Sequence, residues 1–316
     1  MTHLVDSMAY VGSTPWHGLG NNLTAHQPLD TWLVEAGMDW HIAQSDVLFN
    51  VVSDGLHIRP HSDAKVLYRS DTLAPLSVVS NRYKVVQPDE VLGFYKDLVE
   101  AGGFELETAG SLKGGRKLWA LAKTGQDLKL QGNDRVKSYL LLATSCDGTL
   151  CTTAQFTSLR VVCNNTLQMA LGDSTGAIKV PHSTRFDATA VKESLGLGLS
   201  HWDEFKLQTK ALAQRSVAPA EALRFFSDLL AQPLDEESII LTPPVQRLNE
   251  LYQGAGMGAE LTSSRNTAWG LVNAVTEFVD HHRRARSQDH RLDSAWFGQG
   301  AQLKTRALNQ ALTLLQ

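Results

Sequence analysis

The apolar residues of this chain change their spacing once, near Asp187, and that change bounds the fold more tightly than any other sequence feature. Before it, apolar and β-branched residues recur at every second position, as in Val47, Phe49 and Val51, the period of a strand with two unlike faces. After it they recur three or four apart, as in Ala222, Leu223, Phe226 and Leu230, which is the period of a helix with one apolar stripe. The expected fold class is therefore α+β, with an antiparallel hairpin sheet and packed helices over residues 1–186 and a mainly helical region over 187–316.

Within the first part, strands are expected over 45–52, 65–69 and 76–80. A turn at Asn81-Arg82-Tyr83 is expected to lead into a further strand at 84–86. Pro88-Asp89-Glu90 opens a helix, because proline suits a first turn and carboxylates there meet the positive end of the dipole. Val91, Leu92, Tyr95, Leu98 and Val99 form its apolar face, and Gly102-Gly103 ends it. Two hairpins follow, one with the basic tip Lys113-Gly114-Gly115-Arg116 and one around Cys146-Asp147-Gly148. A helix over 162–171, stopped by Gly172, completes the order helix, hairpin, hairpin, helix. Later, Ala218-Pro219-Ala220-Glu221 starts a helix, and Pro233, Pro243 and Pro244 separate its successors. Gly254 to Gly258 reads as a loop before a helix over 266–284.

The hydrophobic fraction of 43% with 20% charged residues is that of a folded chain able to bury a core without disulfide or metal staples. Cys146, Cys151 and Cys163 are odd in number and sit among apolar or β-branched residues, so a reducing compartment is expected. The N-terminus lacks a basic segment followed by a long apolar run, and no stretch nears the roughly 18 apolar residues of a membrane span. These features point to a cytoplasmic protein with no membrane partner.

Three segments carry a family likeness: Pro15-Trp16-His17-Gly18-Leu19-Gly20, Arg160-Val161-Val162-Cys163-Asn164-Asn165-Thr166-Leu167, and Asn266-Thr267-Ala268-Trp269-Gly270 with Asn273-Ala274-Val275-Thr276-Glu277. Together they resemble the phage/plasmid-like family called domain of unknown function 932. The likeness implies an origin in phages, plasmids or integrated elements, and it implies no reaction. The order of elements between Pro88 and Leu171 also resembles the core of single-strand annealing recombinases, a likeness of topology that is a poor guide to function.

The net charge of −4 does not advertise nucleic-acid binding, but the charge is unevenly spread. Between Lys113 and Arg160 eight basic residues face only three aspartates. Lys113, Arg116, Lys117, Arg135, Lys137 and Arg160 are the candidate contacts to a phosphodiester backbone, with Trp119, Tyr139 or Phe156 as stacking surfaces for unpaired bases. The competing reading makes these the solvated faces of amphipathic strands with the aromatics in the core. His281-His282-Arg283-Arg284-Ala285-Arg286 is a second basic cluster, of the kind that ends many helices.

Chemistry is harder to find. Glu277 and His281 lie four apart, as metal ligands on a helix do, but no second cluster completes a set. There is no nucleophile elbow and no phosphate loop, and Gly196-Leu197-Gly198 lacks the third glycine of a dinucleotide site. The expected function is single-stranded DNA binding or annealing by a homo-oligomer, without catalytic residues, cofactors or metal. The alternative is a protein-interaction module, such as a phage regulator or host-defence antagonist.

Overall fold

The computed structural model describes residues 5–12, 20–52, 56–100, 102–160, 165–168, 177–196, 199–231 and 242–316. The first of the three family-like segments lies mostly outside these residues, as do Cys163 and the middle of the second segment. The fold is α+β. Its strands are β1 (Val5–Val11), β2 (Asn21–Leu23), β3 (Ile42–Val52), β4 (Leu56–Arg69), β5 (Pro75–Ser80), β6 (Glu105–Leu112), β7 (Lys117–Lys129), β8 (Arg135–Ser145), β9 (Thr152–Arg160), β10 (Asn165–Gln168) and β11 (Ala177–Val180). One sheet runs in the order β10-β9-β8-β7-β6-β1-β2, with β11 also on β9, and the other is β3-β4-β5. The large sheet is mixed rather than purely antiparallel, because β1 and β2 pair in parallel.

The change from strand to helix falls between Val180 and Ala188, where the apolar spacing changes. The compact units follow a different division. One holds residues 1–124, 140–155 and 177–196, the other 125–139, 156–176 and 197–316, so both draw on the strand-rich half of the sequence.

In the first unit the helices are α1 (Leu29–Glu35), α2 (Pro88–Gly93), α3 (Lys96–Glu100) and α4 (Ala188–Gly196). The single helix expected after Pro88 is two short ones, interrupted at Phe94-Tyr95. Both aromatics are fully buried there, and the Tyr95 hydroxyl donates to the carbonyls of Ala120 (2.7 Å) and Leu140 (3.0 Å). A buried hydroxyl left without a partner costs about 1–3 kcal/mol, so anchoring it on the sheet outweighs one more helical turn. The strand expected at 84–86 is also absent: Lys84 donates its N–H to the His182 carbonyl at 2.6 Å and the segment joins no ladder. The hairpin tip is as expected, with Lys113, Gly114 and Gly115 all left-handed at φ 56°, 74° and 89°.

In the second unit the helices are α5 (Leu199–Gln214), α6 (Pro219–Leu229), α7 (Pro243–Glu250), α8 (Ala268–Glu277), α9 (Gln288–Phe297) and α10 (Gln299–Thr313). Every residue of α8 is buried, and it packs against α5, α7 and α10. Thr267 caps it, its hydroxyl accepting from the Gly270 N–H at 3.1 Å. The helix expected to run to 284 loosens into a π-type turn at Phe278–His282. Inside this turn Asp280 forms a buried ion pair with Lys304 of α10 at 2.9 Å. The helix expected over 162–171 is a strand where it is described, because residues 165–168 pair with 157–160 of β9. Among the described residues no helix is long and apolar enough to cross a membrane.

Candidate nucleic-acid interface

The six basic residues expected to hold a phosphate backbone do not meet that expectation as a set. Lys113, Arg116 and Lys117 belong to the first unit, where Arg116 is exposed, Lys113 is half-buried in the hairpin tip and Lys117 is buried. Arg135, Lys137 and Arg160 belong to the second, where Arg135 is exposed but paired with Asp127 and Lys137 is half-buried. Arg160 is 3% exposed and spends its guanidinium inside the protein. Trp119, Tyr139 and Phe156 are likewise core residues, not stacking surfaces. The reason lies in the strands: β7, β8 and β9 are buried at nearly every position over long runs, so alternation there does not create a wet face.

What Arg160 does is hold the second unit together. Its Nε donates to Asp134 Oδ1 at 2.8 Å, and its Nη2 donates to Ser264 Oγ at 2.7 Å and the Gly258 carbonyl at 3.1 Å. The other carboxylate oxygen of Asp134 accepts from Ser263 Oγ at 2.7 Å and from Trp269 Nε1 at 3.4 Å. Both charges are almost wholly removed from water, so each is tolerable only with this complete set of partners. The Asn-Thr-Ala-Trp-Gly segment thus has a physical role that needs no ligand. Asn266 takes a left-handed φ of 54°, Thr267 caps α8, Trp269 donates to Asp134, and Gly270 leaves room for the Ser264 carbonyl.

A basic strip that sequence inspection passed over lies in the first unit, along β4 and the turn after β5. Beyond its pairing with β5, β4 continues with β3 as a two-stranded ribbon of five residue pairs, Leu48–Pro60 to Val52–Leu56. Facing pairs share a side. One side therefore carries Phe49 opposite Arg59 and Val51 opposite His57, and the His61 ring meets the Phe49 ring edge-on at 6.5 Å between centroids. Residues 61–64 form an irregularity, because β4 advances five positions there while β3 advances two. The Asn81 N–H donates to the Asp63 carbonyl across it at 3.1 Å, which brings Arg82 alongside. Next come Lys65, whose ammonium donates to the Tyr83 carbonyl at 2.9 Å, and Lys84. Partial burial, and then the neighbouring Lys84 charge, lower the pKa of Lys65. Two cations are therefore close enough to feel each other.

Tyr83 stacks on His182 at 4.3 Å and fixes this end of the strip. His182 is in turn held between the carbonyls of Lys84 and Leu150, at 3.0 Å each. Arg59, Arg82 and Lys84 are exposed, and none of the described ion pairs involves them. Four cations here stand against two carboxylates, Asp63 and Asp46, the latter directly opposite Lys65 on β3. The strip escaped sequence inspection because its members lie in separate segments, brought together by the β4–β5 pairing.

The Glu277 and His281 spacing leads elsewhere than to a metal set. Among the described residues no three His, Cys, Asp or Glu side chains group as metal ligands would. Glu277 accepts from the Met257 N–H at 2.9 Å and lies 3.7 Å from His282 Nε2. Burial raises Glu277 above the usual carboxylate pKa of 4.5, and burial with Arg247 nearby lowers His282. The native state therefore keeps the Glu277 proton to higher pH than the unfolded chain does. Its contribution to stability is full below about pH 4.5, and is lost as pH rises through the folded-state pKa. Glu277→Gln is expected to be less destabilised by that pH rise than the wild type. Urea melts of both proteins at pH steps from 4 to 8 would measure this, and parallel curves would count against it.

A family model described as "Domain of unknown function (DUF932)" matches residues 75–296. No curated protein and no solved structure matches the chain. The matched segment includes Arg82, Lys84 and the whole Arg160–Asp134 network, while the β3–β4 ribbon lies before it.

Proposed function

The chain belongs to this family of unknown function, and we propose that it is a non-covalent nucleic-acid-binding protein whose contact surface is the strip Phe49, Arg59, His61, Lys65, Arg82 and Lys84. The ligand is a single strand, drawn from a replicating or recombining DNA. The observation that carries this reading is that Arg59, Arg82 and Lys84 are exposed and in none of the described ion pairs, with Lys84 near enough to Lys65 to lower its pKa further than burial does. Like charges held together repel each other, and a polyanion passing over them relieves that repulsion. The exposed Phe49 ring beside Arg59 and His61 offers an unpaired base a stacking surface that any base can use. Binding and release are the whole of the proposed activity, and no bond is made or broken.

Arg82→Glu with Lys84→Glu tests the reading directly. Fluorescence anisotropy with a labelled oligothymidylate at 50–200 mM salt should give at least about tenfold weaker binding at the low-salt end. The slope of log affinity against log salt should fall by about 0.7 for each phosphate that is no longer neutralised. Wild-type protein that does not retain the oligonucleotide at 50 mM salt would remove the proposal. So would a double variant that binds as the wild type does.

A protein partner is a second reading, and the opposite side of the ribbon favours it. Leu48, Val52 and Ile58 are 60%, 82% and 62% exposed there, beside Pro60. Contiguous apolar surface of this kind marks protein contacts more often than nucleic-acid contacts.

A further inference from the structure

We propose that the free edge of β3 is a self-association surface, on which β3 of a second copy pairs antiparallel about a two-fold axis. Among the described residues β3 is the end strand of its sheet, and it runs for 11 residues, all but Ile42 exposed or half-exposed. Such an edge presents a row of N–H and C=O groups that another strand can complete. The protein covers this row at one place itself. The side-chain amide of Gln87 accepts from the Ile42 N–H at 2.8 Å and donates to the Ile42 carbonyl at 3.2 Å, as a neighbouring strand would. Outward-facing groups recur at every second residue, so Gln44 and Asp46 point the same way as Ile42 and are next along the edge.

The contrast with the rest of the small sheet identifies β3 as the pairing edge. Folded proteins blunt exposed edges with proline, lysine or local irregularity. Past its pairing with β5, β4 has Pro60 and the irregular stretch 61–64, and β5 begins with Pro75 and shifts register beside Tyr68. β3 contains no proline and no lysine, and its irregularity is confined to Val47.

Its composition also fits a copy of itself. Asp46 is the only charged residue of the strand, so like charges oppose one another only if the axis passes through Asp46. An axis at Leu48 instead sets Asp46 opposite Asn50 and Gln44 opposite Val52, covering Leu48, Phe49 and Val52. About that axis residues 44–52 of β3 pair, nine residues spanning about 31 Å, and with a width of about 10 Å the contact hides roughly 600 Å² over both copies. That is below the roughly 1,200 Å² of stable complexes, so the dimer forms reversibly and at high protein concentration.

Sedimentation velocity of the full-length protein from 1 to 300 μM tests the inference. The wild type should move from monomer towards dimer across that range. Leu48→Lys with Val52→Lys, both at exposed positions, should stay monomeric throughout while melting at the wild-type temperature. Hydrogen exchange supplies a readout that needs no variant: the Gln44 and Asp46 amides should exchange at least several-fold more slowly at 300 μM than at 1 μM. A wild type that stays monomeric at 300 μM overturns the inference. A doubly substituted protein that dimerises as well as the wild type also overturns it, as does exchange at Gln44 and Asp46 that ignores concentration. Arg82→Glu with Lys84→Glu leaves the edge untouched and should still dimerise, so failure of the nucleic-acid reading and failure of this one are separable.

Discussion

Arg160→Ala is expected to lose about 3–5 kcal/mol of stability, enough to leave the protein largely unfolded if its total lies at the low end of the usual 5–15 kcal/mol. The loss comes less from the missing attraction than from what remains. Asp134 is wholly buried, and without the guanidinium its charge keeps only Ser263 Oγ and the more distant Trp269 Nε1. Ser264 Oγ and the Gly258 carbonyl lose a donor at the same time. Arg160→Lys should restore little, because one ammonium cannot follow the fork from Asp134 to Ser264. Removing both charges, as in Arg160→Met with Asp134→Leu, should cost less than either single change, since no orphaned ion is left. Urea denaturation of the two single variants and the double variant gives the comparison. Near-additive losses would mean that the two side chains do not act as the pair their 2.8 Å contact describes.

Gly270→Ala is the second large effect, with an expected loss of about 3 kcal/mol. Alanine normally gains up to about 1 kcal/mol over glycine inside a helix, so helix propensity alone predicts the opposite sign. Here an added methyl would lie 2.0 Å from the Ser264 carbonyl oxygen and 3.1 Å from the Tyr252 ring. The first of these is backbone and cannot swing aside. Moving it shifts Ser264, whose hydroxyl meets Arg160, and disturbs the hydrogen bond that the same carbonyl accepts from the Thr267 hydroxyl. Steric exclusion should therefore win over propensity. A thermal melt that is unchanged or raised in Gly270→Ala would show that the turn before α8 can relax.

These two positions mark where the sequence was legible and where it was not. The strands around Val47–Val51, the glycine-containing tip after Leu112 and the proline-led helix starts could all be read, because local sterics and local periodicity decide them. The break at Phe94-Tyr95 could not, because it depends on two carbonyls far along the chain receiving one hydroxyl. The 84–86 segment has strand composition but, among the described residues, pairs in no ladder.

Charge was the least legible property. A lysine or arginine in an alternating strand reads as solvated only if one face of its sheet is open. β7, β8 and β9 are buried through most of their length, so Lys117 and Arg160 end up inside. Arg59, Lys65, Arg82 and Lys84 showed no clustering in the sequence, since strand pairing and one turn bring them together. The Asn-Thr-Ala-Trp-Gly segment was visible as a motif, but its purpose was not, because Asp134 lies 135 positions away from Trp269.

That separation has a consequence for how the protein is made. Asp134 and Arg160 leave the ribosome more than a hundred residues ahead of Ser263, Ser264 and Trp269, and at about 5–20 residues per second the wait lasts many seconds. During that interval the polypeptide carries two ionic groups whose final enclosure has not yet been synthesised. The later unit cannot close around them until its last third is translated, so a nascent chain stalled before residue 263 should remain open to protease in this region.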